Sequence, residues 1–154
     1  MYQFKGFTEK ANKAMNCAIE EAKQLGHTYI GSEHLLLGLL KADDGVAAEI
    51  LQKLGVTYET LEEVVKNQIG SGTPTHLTID DFTPRTKRIL QLAVMHASQL
   101  HHNYVGTEHI LMAILEEGDS YGVRFLQGLG VKPNDILEEL EEIFHSSDYQ
   151  RVSR

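Results

Sequence analysis

The sequence predicts an all-α fold of eight short helices, arranged as two tandem four-helix repeats that pack with pseudo-two-fold symmetry. Apolar residues recur at helical spacing through most of the 154-residue chain, and no stretch with strand periodicity is long enough to compete. The chain also repeats itself, since Y-I-G-S-E-H-L-L-L begins at Tyr29 and Y-V-G-T-E-H-I-L-M begins at Tyr104. About twenty of roughly sixty residue pairs at this offset are identical without a gap, which indicates an internal duplication.

Four amphipathic helices are predicted in the first repeat, which covers about residues 4–69. Each has apolar residues at helical spacing, and Thr8 and Thr57 are good N-cap residues for the first and the fourth helix. The predicted helices cover about 9–25, 32–41, 46–54 and 58–69. Residues 70–81, which read G-S-G-T-P-T-H-L-T-I-D-D, have the composition of a short linker.

The second repeat covers about residues 82–145 and follows the first in register. Thr83 stands where the first repeat has its N-cap threonine, and Pro84 strengthens this helix start because proline suits the first helical position. Residues 146–154 are expected to form a frayed tail or the start of a further linker. A lone repeat of about 70 residues would have a marginal core, so we expect both repeats to form one domain over 1–154.

Composition and charge exclude several classes of protein. The net charge of −8 argues against nucleic acid or an anionic membrane surface as a partner, because phosphate binding needs clustered lysine and arginine. No apolar run approaches the roughly 18 residues of a transmembrane helix, and the first ten residues lack the apolar stretch of a signal peptide. The single Cys17 cannot form an internal disulfide, so the expected compartment is a reducing cytoplasm.

The sequence contains no pattern of a catalytic or cofactor site. It lacks the phosphate-binding loop G-x-x-x-x-G-K-S/T and a nucleophile elbow, so we expect a monomeric binding module without ATPase activity, cofactor or metal. Eight histidines leave a metal protein or a histidine-dependent enzyme as an alternative. His27 and His34 recur as His102 and His109, however, and repetition at equivalent positions favours a structural role.

The repeated motif G-S/T-E-H is expected to start the second helix of each repeat. Its glycine suits a bend that closes the preceding loop, and Ser32 and Thr107 are expected to cap the helix that follows them. Glu33 and Glu108 fall in the first helical turn, where the helix dipole favours negative charge, and neither needs to be part of the core. A carboxylate beside a helix N-terminus suits a ligand in which a guanidinium meets the glutamate and a phosphate meets the free N–H groups.

These motifs resemble a known family. F-T-x-K/R at the first helix and G-S/T-E-H-L/I-L at the second each occur twice in register, and over about residues 3–145 the chain resembles the Clp N-terminal domain, most of all that of ClpC-type AAA+ unfoldases. The resemblance implies a module that recruits adaptor proteins and protein substrates for ATP-driven unfolding. The ClpP protease would be reached indirectly through the full-length unfoldase, whose ATPase modules would bind ATP and Mg. A stand-alone Clp-repeat adaptor or regulator without ATPase modules is the alternative.

The resemblance also implies which residues bind ligands. In the ClpC family this domain binds phosphorylated arginine on marked proteins, with two glutamates at the guanidinium and two threonines at the phosphate. The implied phosphoarginine-binding residues are Glu33, Glu108, Thr8, Thr83, Lys10 and Arg85, and the implied adaptor or inhibitor surface comprises Phe4, Phe82 and Lys87. The sequence leaves open which threonine partners which glutamate, because pairing across the pseudo-axis would serve as well as pairing within a repeat.

Overall fold

The structure is a computed structural model that describes residues 1–146 and Tyr149. Within this part of the chain there are eight α-helices, which confirms the predicted all-α class. Their bounds are α1 (Glu9–Gln24), α2 (Ser32–Ala42), α3 (Val46–Lys53), α4 (Tyr58–Ile69), α5 (Pro84–Gln99), α6 (Thr107–Glu117), α7 (Tyr121–Gly128) and α8 (Pro133–Phe144). Of the tail expected over 146–154, all but Ser146 and Tyr149 lies outside the described residues.

Threonine hydroxyls begin three of these helices, as predicted. The hydroxyl oxygen of Thr8 accepts a 3.1 Å hydrogen bond from the third residue of α1, and Thr83 accepts one of 3.0 Å at the start of α5. Thr57 caps α4 in the same way at 3.2 Å. Each bond satisfies one of the amide groups that a helix start leaves without an intrahelical partner.

Ser32 and Thr107 do not cap their own helices, and that prediction is wrong. The N-cap residues are Gly31 and Gly106, and the two hydroxyl residues are the first residues of α2 and α6. Their side chains point instead to helices of the other repeat. The motif predicts a helix start correctly, but the hydroxyl serves a different helix.

The hydroxyls of Ser32 and Thr107 cap α7 and α3 across the repeats. Ser32 Oγ accepts a 2.9 Å hydrogen bond from the amide of Gly122, and Thr107 Oγ1 accepts one of 3.1 Å from Ala47. The contacts are close enough to require glycine beside them. A Cβ added at Gly122 would lie 2.9 Å from Ser32 Oγ, and one added at Gly45 would lie 2.6 Å from Thr107 Oγ1.

Both repeats contribute to one hydrophobic core. Met15 and Leu36 of the first repeat belong to the same buried cluster as Ile89 and Leu111 of the second. Helix α2 contacts α7, and α3 contacts α6, so the middle helices of each repeat pack against those of the other. Within the described residues, no helix is both long and apolar enough to cross a bilayer.

The segment over 70–81 packs against the first repeat. The amides of Gly72 and Thr75 donate hydrogen bonds of 2.9 and 3.0 Å to carbonyl oxygens at the end of α1. Leu77 lies in the core, and the segment ends in the short 3₁₀ helix Ile79–Asp81. The connection is therefore an ordered segment that leads to the start of α5.

Candidate functional site

The start of α1 lies against the loop that precedes α6. The amide of Thr8 donates a 2.9 Å hydrogen bond to the carbonyl oxygen of Val105, and the amide of Val105 donates one of 2.9 Å to Gly6. Glu108 follows three residues after Val105, in the first turn of α6. Thr8 of the first repeat is thus placed beside the loop that leads into Glu108 of the second repeat.

The start of α5 lies against the loop that precedes α2 in the same manner. The amide of Ile30 donates to the carbonyl oxygen of Asp81 at 2.9 Å, and the amide of Thr83 donates back to Ile30 at 3.1 Å. Glu33 follows three residues after Ile30 in α2. Each candidate site therefore combines a helix start from one repeat with a carboxylate from the other, as Thr8 with Glu108 and Thr83 with Glu33.

Both glutamates are buried, contrary to the expectation that they lie outside the core. The exposed fractions of Glu33 and Glu108 are 1% and 0%. Their side chains fold back over the N-cap glycines, since a Cβ added at Gly31 or Gly106 would lie 2.4 Å from the Oε1 atom of the following glutamate. Glycine is needed at both N-caps because a larger residue would displace the carboxylate.

Burial raises the pKa of both carboxyl groups. Loss of solvent is the main cause, and it is opposed at Glu33 by its own backbone N–H and the Tyr29 hydroxyl. At Glu108 it is opposed by the Tyr149 hydroxyl, its own backbone N–H and the charge of Lys10. Oε1 of Glu108 has no hydrogen-bond partner among the described residues. A guanidinium in contact with either carboxylate would supply a positive charge that stabilises its ionised form.

A tyrosine hydroxyl covers each carboxylate, but the two tyrosines come from different places. Tyr29 donates a 3.0 Å hydrogen bond to Glu33 Oε2, and Tyr149 donates one of 2.6 Å to Glu108 Oε2. Tyr104, which matches Tyr29 in the second repeat, is 49% exposed. Sequence reasoning missed Tyr149, whose one signal was an aromatic residue in a mostly polar tail.

A cavity of about 350 Å³ opens beside the start of α1, and its described lining is Phe7, Thr8, Glu9 and Tyr104. An anion placed there would meet the positive end of the α1 dipole and the free amides of its first turn. Lys10 lies near enough to Glu108 to lower the pKa of that carboxyl group. Lys10 is therefore close to Glu108, and its contact with a bound ligand stays a prediction.

Arg85, the counterpart of Lys10, is held within its own repeat. Its guanidinium donates a 2.7 Å hydrogen bond to the carbonyl oxygen of Asp119 and lies 3.3 Å from a carboxylate oxygen of Glu117. Among the described residues, none of its contacts is with Glu33. The two sites share their threonine and glutamate but differ in the position of the basic residue.

Two of the three residues predicted to form an adaptor surface contact each other in the structure. The rings of Phe4 and Phe82 stack with centroids 6.2 Å apart and an interplanar angle of 22°. Asn12 holds the N-terminal segment in place, because its side chain accepts a hydrogen bond from the amide of Phe4 at 2.6 Å and donates one to its carbonyl oxygen at 3.2 Å. Lys87 is exposed on α5, and no described contact joins it to the stacked rings.

The repeated histidines form matched hydrogen-bonded pairs. Nδ1 of His34 accepts a 2.9 Å hydrogen bond from the amide of Gly31, so its Nε2 carries the proton and donates to Nδ1 of His27 at 2.7 Å. His27 Nε2 in turn donates to the carbonyl oxygen of Gly70 at 2.9 Å. The same bonds recur at Gly106, His109 and His102 at 2.9 and 2.8 Å. Neither relay brings three metal-ligating side chains together within the described part of the chain.

The comparisons with known proteins agree with this architecture. A sequence profile described as the Clp repeat (R) N-terminal domain matches residues 6–129 and, in a second match, 81–152. The negative regulator of genetic competence ClpC/MecB of Bacillus subtilis (strain 168) is 41% identical over 145 residues, which are 94% of this chain and 18% of that protein. The chain thus spans less than a fifth of that relative's length.

Solved structures share the fold. The N-terminal domain of the caseinolytic protease associated chaperone ClpD from Arabidopsis thaliana superposes with a TM-score of 0.78 at 28% identity, over 91% of this chain and 98% of that one. A ClpV N-domain in complex with a VipB peptide has a TM-score of 0.61 at 16% identity, over 87% and 88% of the two chains, and shows likeness of fold alone. The duplicated sequence, the shared core and these matches show that the chain belongs to the Clp repeat N-terminal domain family.

Proposed function

We propose that this chain is the adaptor- and substrate-recruiting module of a ClpC-type ATP-dependent unfoldase that works with the ClpP protease in the cytoplasm. In this proposal the module binds phosphoarginine on marked proteins at its two crosswise sites, and ATP and Mg bind only to the ATPase modules of the full-length protein. The observation that supports it most is that both carboxylates are buried, and that each follows a loop hydrogen-bonded to the helix start of the other repeat.

The chemistry of phosphoarginine matches the two halves of each site. Its phosphate suits the free amides at the start of α1 or α5, and its guanidinium suits the carboxylate of Glu108 or Glu33. Since both carboxylates are almost fully buried, a bound guanidinium must take the place of the covering tyrosine hydroxyl. A bound ligand would also bridge the two repeats, so it would stabilise their packing.

Adaptor binding is proposed for the surface formed by the stacked Phe4 and Phe82 rings and the exposed Lys87. Phe4 is half-buried and stacks on the buried Phe82 ring, and an aromatic side chain held in this way is typical of residues that anchor a protein partner. The VipB peptide complex of the ClpV N-domain is a precedent for peptide binding by this fold. The two classes of partner would then use separate surfaces of one module.

The test is calorimetric titration with free phosphoarginine of the wild-type chain and the Glu33→Gln, Glu108→Gln and double variants. Glutamine keeps the volume of the side chain and still accepts a tyrosine hydrogen bond, but it lacks the charge. Each single variant should weaken its own site by about 1.5–3 kcal/mol, the scale of a charged hydrogen bond, and the double variant should bind no ligand specifically.

Glu59→Gln is the matched control, because Glu59 also lies in the first turn of a helix but is exposed. It should bind phosphoarginine as the wild-type chain does. Circular dichroism should show all variants folded. Unchanged affinity in a folded double variant would overturn the assignment of both glutamates.

A further inference from the structure

We infer that Tyr149 holds the Glu108 site closed, so that the two crosswise sites differ in accessibility and the Glu33 site is the one that fills first. The identity of the ligand rests on the proposed function, whereas the closure rests on contacts within the chain. Regulation would then act on one site alone, because displacing Tyr149 would open the Glu108 site and leave the Glu33 site unchanged.

Tyr149 is packed as an integral part of the Glu108 site. It is 5% exposed, and its hydroxyl donates a 2.6 Å hydrogen bond to Glu108 Oε2. The hydroxyl oxygen of Tyr149 also lies 3.4 Å from a ring nitrogen of His102 and 3.4 Å from one of His109. The ring centroid of Tyr149 lies 4.7 Å from that of His102 and 5.4 Å from that of Phe144. The phenol therefore occupies the position in which a guanidinium would contact the carboxylate.

The Glu33 site is covered differently. Tyr29 lies in the loop before α2, four residues before Glu33, and is only half-buried, with a longer hydrogen bond of 3.0 Å. Tyr149 is 41 residues from Glu108 in sequence, and it is 5% exposed and its ring packs against His102 and Phe144, so uncovering Glu108 requires a buried ring to leave this packing.

Competition by Tyr149 should lower the affinity of the Glu108 site. A hydroxyl bonded to a carboxylate is a strong, charge-assisted contact, and a tethered competitor acts at a high effective concentration. The apparent affinity for an added ligand falls with the fraction of molecules in which the site is open. Removing the hydroxyl while keeping the ring should raise that fraction.

The experiment titrates phosphoarginine into variants that each keep one site. In the Glu33→Gln chain only the Glu108 site remains, and adding Tyr149→Phe should raise its affinity by about tenfold, from the loss of one charged hydrogen bond. In the Glu108→Gln chain, Tyr149→Phe should leave affinity unchanged. Tyr58→Phe is the control, because it removes a hydroxyl bonded to Glu21 and Glu62 away from both sites. Equal affinity of the Glu108 site with and without the Tyr149 hydroxyl would overturn the inference.

A second readout does not depend on the ligand. The Tyr149 hydrogen bond opposes the raised pKa of Glu108, so carboxyl-carbon NMR titration of Tyr149→Phe should show a still higher pKa at Glu108 and none of this change at Glu33. If that shift appears and no variant binds phosphoarginine, the proposed ligand is wrong and the closure stands. If the wild-type chain binds phosphoarginine equally at both sites and the Glu108 pKa does not change in the variant, the closure is wrong and the proposed function stands.

Discussion

The hydroxyl oxygen of Ser32 accepts a 2.9 Å hydrogen bond from the amide of Gly122, ninety residues further along the chain. Thr107 and Ala47 form the symmetry-related bond, sixty residues apart. Each amide belongs to the first turn of a helix and has no partner in its own helix. The two bonds therefore specify how the repeats pack, since a shift of one repeat against the other would leave both buried amides unsatisfied.

Ser32→Ala should lower the free energy of unfolding by about 1–2 kcal/mol, because the amide of Gly122 would stay buried without an acceptor. Urea denaturation followed by circular dichroism measures this. Ser71→Ala is the control, since Ser71 is exposed in the linker and its loss should change stability by less than about 0.5 kcal/mol. A Ser32→Ala chain as stable as this control would show that the hydroxyl does not act as a cap.

Gly106→Ala should destabilise the chain only while Glu108 is present. The backbone at Gly106 has a φ of −101°, which alanine adopts freely, so the obstacle is the carboxylate 2.4 Å from the added Cβ. In the wild-type background we expect Gly106→Ala to lower the free energy of unfolding by about 1–3 kcal/mol, the cost of overpacking a well-packed site. In the Glu108→Ala background the same change should be neutral or stabilising by up to about 1 kcal/mol.

The measurement for this cycle is equilibrium urea unfolding of all four chains. Gly128→Ala provides the comparison, because a Cβ at Gly128 would meet nothing within 4 Å. Gly128→Ala should change the free energy of unfolding by the same amount with and without Glu108. Additive effects of Gly106→Ala and Glu108→Ala would contradict the close contact.

The buried histidine relays should make the fold less stable in acid. Burial lowers the pKa of His34 and His109 to about 3 in the folded chain, against an ordinary value of 6.5. Protons therefore bind the unfolded chain first, so this contribution to stability is complete above pH 6.5 and is lost as the pH falls toward about 3. Glu33 and Glu108 act in the opposite sense, because their raised pKa values favour the folded chain in acid.

His34→Gln isolates the histidine contribution, since it leaves both glutamates in place and glutamine can still accept the amide hydrogen bond of Gly31. Thermal unfolding midpoints over this pH range should fall less steeply for His34→Gln than for the wild-type chain. His76→Gln, at an exposed histidine, should follow the wild-type curve. Parallel curves for all three chains would argue against the buried relay.

The two repeats should unfold in one cooperative transition. Their side chains share a core, and the hydroxyl caps of each repeat hold helices of the other. Differential scanning calorimetry should give a single transition whose calorimetric and van't Hoff enthalpies agree. Two well-separated transitions would show that the repeats are independent units.

The all-α class, the duplication and the threonine caps of α1, α4 and α5 could all be predicted from the sequence. These features are local, because a 3.6-residue apolar period and a hydroxyl before a helix act within a few residues of each other. The repeated G-S/T-E-H motif also predicted that Glu33 and Glu108 lie in the first turn of a helix, which the structure confirms. It indicated the wrong partner for the motif hydroxyls, because a residue that favours a helix start can satisfy an amide of any helix packed beside it.

The way in which the candidate sites are assembled depends on tertiary packing and could not be predicted from the sequence. Thr8 faces the loop before Glu108, and Thr83 faces the loop before Glu33, because the repeats exchange contacts across the pseudo-two-fold axis. The burial of both carboxylates and the hydrogen bond from Tyr149 to Glu108 could not be predicted from the sequence either. These contacts join residues tens of positions apart, and the packing of whole helices sets them, whereas sequence periodicity reports only which face of each helix is apolar.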